Sequence, residues 1–207
     1  APFNPEGHSL QGDRLFQLLA ALAGLAREAS FAAVEALARC PDFLEFLADR
    51  AGAGFAAAKF LAELDELHAR HLPPDLREAR RSAPASEELA AVAKLRATLT
   101  KGRFPANAAA ALTAIFEGRR FDLARPADAL AAEAAEAWMC GLREIAAAGK
   151  LADLTTAEGW DLALQLYGES VRYDDKPAGA VELQGWLELL WEDAPHLLVA
   201  GMNDGSV

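Results

Sequence analysis

Leu15, Leu18, Leu19, Leu22 and Leu25 recur at the three- and four-residue spacing that places side chains on one face of an α-helix, and this spacing returns along most of the chain. Ser30 has the chemistry of an N-cap ahead of Phe31, Val34 and Leu37. Pro41 suits the first turn of the next helix, where its missing N–H costs nothing, and Phe43, Leu44, Phe46 and Leu47 follow. After a break at 51–54, Phe60, Leu61, Leu64 and Leu67 form a longer stripe that ends before Pro73 and Pro74. Ser86 caps a stripe of Leu89, Val92, Leu95 (or Arg96 beside it) and Leu99. Pro105 leads to Ala108, Ala111, Leu112 and Ile115, and Pro126 to Leu130, Ala134, Trp138, Leu142 and Ile145. Thr155 and Glu158 have capping-box spacing ahead of Trp160, Ala163, Leu164 and Tyr167.

Composition agrees with this pattern, because Leu and Ala dominate while Val, Ile and Thr are sparse. The polar, proline-punctuated "PPDLREARRSAPAS" reads as the main internal loop. Beyond Gly168 the texture changes to short β-compatible pieces, "SVRY", "AVELQ" and "HLLVAG", separated by Asp, Lys, Pro and Gly. The expected fold is therefore mainly α: a helical bundle-like subdomain over 1–168 and a small C-terminal α/β, strand-containing segment over 169–207. No repeat of fixed period is visible.

A formal charge of −11 argues against a free-standing nucleic-acid binder, which needs Lys and Arg for phosphates. Local basic clusters do occur at Arg77, Arg80 and Arg81, at Lys101 and Arg103, and at Arg119 and Arg120; solvated helix ends and turns account for them most simply. Cys40 and Cys140 lie far apart without CxxC spacing, so reduced thiols in a cytoplasmic protein are expected. No apolar run approaches the ~18 residues of a membrane span. Ala1 in place of methionine points to processing, tag removal or excision from a longer chain.

Motifs for phosphate loops, zincins, serine hydrolases and zinc clusters are missing from the sequence. Asp65, His68 and His71 are spaced i, i+3 and i+6, a series that drifts around a helix, so histidines at a helix C-terminus explain them better than a metal site. The adjacent acids Glu87 and Glu88, Asp174 and Asp175, and Glu192 and Asp193 do not by adjacency make a desolvated acid–base pair. Trp138 and Trp160 lie on apolar helix faces and read as core. Trp186 and Trp191 flank an irregular polar stretch; core packing is the leading reading for them too, with base stacking as the alternative.

The closing stretch, "AVELQ", "GWLELLWEDAP", "HLLVAG" and "GMNDGSV", resembles a region of UvrD/RecB-type superfamily I helicases, in the inactivated form carried by AddB-like and related PD-(D/E)XK nuclease proteins. There a strand leads through a DNA-facing loop to a buried strand and a turn of the kind Gly-[Leu/Met]-Asn-Glu-Gly. Gly201 and Gly205 permit such a turn, and Asn203 and Asp204 can bond their own backbone. Gly185 and Leu187 stand where the family has Thr and His, and Leu190 and Trp191 replace its Lys-Gly pair. The opening stretch 8–47 resembles, in its ordering of helices, the passage from a second RecA-like domain into a helical insertion.

The resemblance implies a fragment: a 2B-like helical insertion subdomain joined to the truncated edge of a RecA-like domain. It implies a non-catalytic scaffold that holds or routes DNA within a bacterial helicase–nuclease, without a cofactor or metal of its own. Its partners would be DNA, the parent's remaining helicase and nuclease domains, and a second helicase–nuclease subunit. Gly185, Trp186, Glu188, Trp191, Asn203, Asp204 and Gly205 would form the DNA-facing loops. The competing class is a helical module that docks protein partners and has no DNA role. A small enzyme using His68, His71 or the carboxylates is the least favoured class.

Overall fold

Nearly every apolar stripe becomes a helix, and most of these helices begin at a proline or a capping side chain. The coordinates are a computed structural model and describe residues 7–148 and 154–173, together with Gly179 and His196. Among the described residues the helices are α1 (Arg14–Arg27), α2 (Phe31–Ala38), α3 (Pro41–Ala51), α4 (Ala57–His71), α5 (Leu76–Ser82), α6 (Glu87–Thr100), α7 (Ala106–Phe116), α8 (Pro126–Ala148) and α9 (Thr156–Glu169). Two short strands, β1 (His8–Ser9) and β2 (Val171–Arg172), pair antiparallel with His8 opposite Arg172. The fold is mainly α with a small strand element. The chain divides into two units, one comprising Gly7–Arg172 and the other Ala1–Glu6 with Tyr173–Val207.

Within the first unit, α1 is the central element and packs against α2, α3, α6, α8 and α9. Leu18, Leu19, Leu22 and Leu25 have no solvent exposure, and each contributes about 2–3 kcal/mol by leaving water. On the α9 side the core is aromatic. Trp138 stacks on Trp160 at 5.8 Å between ring centroids and meets Tyr167 edge-on at 6.0 Å. Both tryptophans are buried, as their helix faces required.

The ends of this unit are tied together. Ser9 Oγ donates to the Gly168 carbonyl at 3.0 Å, and Leu10 N–H donates to Ser170 O at 3.1 Å. The capping box at α9 forms as its spacing predicts: Glu158 N–H donates to Thr155 Oγ1, and Thr155 N–H donates to Glu158 Oε2 at 2.9 Å. The hydrogen bonds from Thr155, side chain first and backbone second, hold the Glu158 carboxyl below its ordinary pKa.

One expectation is corrected. The stretch read as a long loop contains α5, capped by Asp75, whose Oδ1 accepts from Glu78 N–H at 2.9 Å. Seven residues are too few for an apolar stripe to stand out, and isolated helices of this length are marginal in water. A tertiary seam holds this one: Phe31 N–H donates to Pro74 O at 3.0 Å, Leu76 N–H donates to Ala29 O at 2.8 Å, and Ser30 bridges Asp75. Leu76 and Ala79 are the side chains that α5 buries.

Candidate functional site

The loop residues implied by the helicase resemblance, Gly185, Trp186, Glu188, Trp191, Asn203, Asp204 and Gly205, lie outside the described residues. So do the acidic pairs at 174–175 and 192–193. The candidate site built by the described residues is elsewhere, on α5 and α6.

A groove of about 610 Å3 runs between these helices, and Arg77, Arg80, Arg81 and Arg96 line it. Its apolar lining includes Leu76, Ala93 and Ala97. The seven-residue α5 supplies three of the arginines because positions 77, 80 and 81 fall three and four apart around Leu76 and Ala79, which face the core. Arg96 comes from α6, one residue after the buried Leu95. Arg77 and Arg96 also line an adjoining hollow of about 650 Å3 beside Ser30 and Pro74, so the two guanidinium groups stand between two concavities.

The arginines are not equivalent. Arg81 pairs with Glu78 at 2.6 Å, and Arg77 reaches the same carboxylate at 3.8 Å. Among the described residues Arg80 and Arg96 form no ion pair. Arg80 is exposed, whereas Arg96 is half-buried with an Nε that is closed off from solvent and has no hydrogen-bond partner. Thr100, at the end of the groove, donates its hydroxyl to the Arg96 carbonyl at 3.0 Å, so its proton is already committed. The donors left for an incoming acceptor are guanidinium N–H groups, which suit phosphate oxygens in fork geometry.

A second charged cluster is structural. Asp42, buried in the first turn of α3, lies 2.7 Å from both Arg14 and Arg119. Glu45 closes the set at 2.7 Å from Arg14 and 2.9 Å from Arg119. Burial lowers the Arg14 pKa, but hydrogen bonds to Glu45 and Asp42 together with their negative charges outweigh it, and the net shift is upward. Arg119 also stacks over the Phe121 ring at 4.8 Å. Every charge here is answered by another, so the cluster ties α1, α3 and the segment before α8 together and offers nothing to a ligand.

Asp65, His68 and His71 do not converge. Asp65 pairs with Arg39 at 2.7 Å, His68 Nδ1 lies 3.1 Å from Glu35, and His71 lines a different cleft. No group of His, Cys, Asp and Glu among the described residues is arranged to hold a metal ion. That cleft, about 860 Å3, sets Arg50, Arg70 and His71 against Glu63, Glu87 and Glu88; its charges are mixed and select no ligand class. Cys40 is buried and donates to the Ala36 carbonyl at 3.3 Å, whereas Cys140 is exposed. No described helix is long and apolar enough to cross a membrane.

Arg77, Arg80 and Arg81 were visible in the sequence as a basic cluster, but Arg96 reads there as a neighbour of an apolar stripe. Nothing in the local sequence announces that α5 and α6 bring the four together. No protein-family model, curated protein or solved structure matches this chain.

Proposed function

We propose that this chain is a non-catalytic, helicase-like scaffold piece of a bacterial cytoplasmic DNA-repair helicase–nuclease, holding or routing DNA for active domains elsewhere in the parent. The observation that carries the reading is the arginine groove between α5 and α6, which concentrates four cations on a chain of net charge −11. A protein so acidic repels nucleic acid over most of its surface, and a local basic groove is the footprint that phosphate contacts need. The resemblance of the 181–207 segment to inactivated helicase regions supports the same reading.

The test is binding of the purified 207-residue chain to forked and single-stranded DNA across a salt series. Affinity at low salt should fall by about one power of salt concentration for each phosphate engaged. ATPase and nuclease assays on the same sample should read no turnover above a buffer control. The second reading, a protein-docking helical module, is favoured by the exposed apolar side chains of Phe121, Leu123 and Leu130 around the start of α8. Absence of DNA affinity at low salt would select it.

A further inference from the structure

We propose that the α5–α6 groove binds the sugar–phosphate backbone of nucleic acid and takes no part in reading or stacking bases; the inference rests on the DNA-holding reading above. Strands held through their bases are stacked on aromatic side chains, and adenine and cytosine edges are read by amide or carboxylate groups. The groove has neither. Its polar groups are four guanidinium heads and Thr100, and the rest of its lining is Leu76, Pro84, Ala93 and Ala97. Trp138 and Trp160, which could have stacked on bases, are buried in the aromatic core between α8 and α9.

The arginines divide the work by what already holds them. Glu78 neutralises part of the charge of Arg81 and Arg77. Among the described residues Arg80 and Arg96 form no ion pair, so they carry the charge that an incoming anion meets. Arg96 is half-buried, so its guanidinium is held in the groove wall at less entropic cost than the exposed Arg80 side chain. The committed hydroxyl of Thr100 adds no donor, which leaves charge-assisted contacts to phosphate as the chemistry on offer.

Arginine can also pair with guanine, so the deciding probe is a strand without bases. Fluorescence anisotropy would compare three probes of about 20 nucleotides: a mixed-sequence strand, a fully abasic strand of equal length, and a duplex. The natural and abasic strands should bind within about threefold of each other, and R80E/R96E should weaken both by about tenfold or more and flatten the salt slope. R80Q/R96Q removes the charges without reversing them and should weaken binding in the same direction, with far-UV circular dichroism checking that both variants fold.

If the abasic strand binds more than about tenfold weaker than the natural one, bases carry the affinity. That result overturns the inference and leaves the DNA-holding reading standing. Unchanged binding by both folded double variants overturns it too, because the seat is then elsewhere. Failure of every probe to bind at about 50 mM salt overturns the DNA-holding reading itself, and the inference with it.

Discussion

Gly159, in the first turn of α9, sits so close to Phe104 that a Cβ there would lie 2.5 Å from the ring Cδ1 and 2.8 Å from Cγ. The half-buried ring can retreat only away from the core, because on its inner side it packs on the fully buried Trp160 at 5.6 Å. In an open helix Gly→Ala gains about 1 kcal/mol. Here Gly159→Ala should instead destabilise by about 1–3 kcal/mol through overpacking. Urea unfolding followed by tryptophan fluorescence measures the sign, and a stabilising result would show that the ring yields freely.

Asp42 holds two cations at once, so its loss is felt twice. Asp42→Ala removes the partner at 2.7 Å from both Arg14 and Arg119 and takes an acid from the first turn of α3. Arg14 is substantially exposed and Arg119 less so, so solvent recovers part of the loss, and about 2 kcal/mol of destabilisation is expected. Arg14→Ala should cost less than half of that, because Arg119 still pairs Asp42. Equal costs for the two variants would contradict the shared-carboxylate arrangement.

Among the described residues, the buried Tyr167 hydroxyl has no hydrogen-bond partner. Burial, with a smaller contribution from the Asp13 charge, pushes its pKa above the ordinary tyrosine value. Tyr167→Phe keeps the ring contacts with Trp138 and Phe16 and discards the unsatisfied group. It should therefore be neutral or raise stability by about 1 kcal/mol, where most core substitutions lower it. Thermal unfolding of the two proteins side by side decides.

The two thiols should separate by reactivity. Burial, and secondarily the Asp42 charge, pushes the Cys40 thiol up to about 11 from an ordinary 9.0, whereas Cys140 is exposed. At about pH 8 a disulfide reagent should titrate one thiol in the native protein and two in guanidinium chloride. The native state holds Cys40 neutral, so this contribution to stability is intact below the unfolded value and fades as pH rises through about 11. Rapid reaction of both thiols in buffer would show that Cys40 is accessible.

Much of the helical body can be read from local pattern, because one apolar stripe per helix is a local signal. Leu18, Leu22, Trp138 and Trp160 are buried where their periodicity puts them, and Thr155 with Glu158 closes the capping box that its spacing announces. The short helix α5 was concealed by its length, although Asp75 and Glu78 carried the spacing of an N-terminal cap. Strand β2 falls inside a segment that looks β-compatible, but its partner His8–Ser9 is more than 150 positions away, beyond the reach of local reasoning. The groove fails to show for a similar reason. Arg96 belongs with Arg77 and Arg80 only after α5 has folded against α6.

The seam from Ala29 and Ser30 to Pro74, Asp75 and Leu76 gives that groove an unusual dependence. A free peptide of α5 would be largely unfolded, its three arginines scattered among conformers. The cationic surface is therefore a product of long-range folding. A perturbation that loosens the backbone around Pro74 would dissolve the positive potential without touching a single charge. The proposed anion affinity would then be lost through local unfolding of this seam, with every arginine still in the chain.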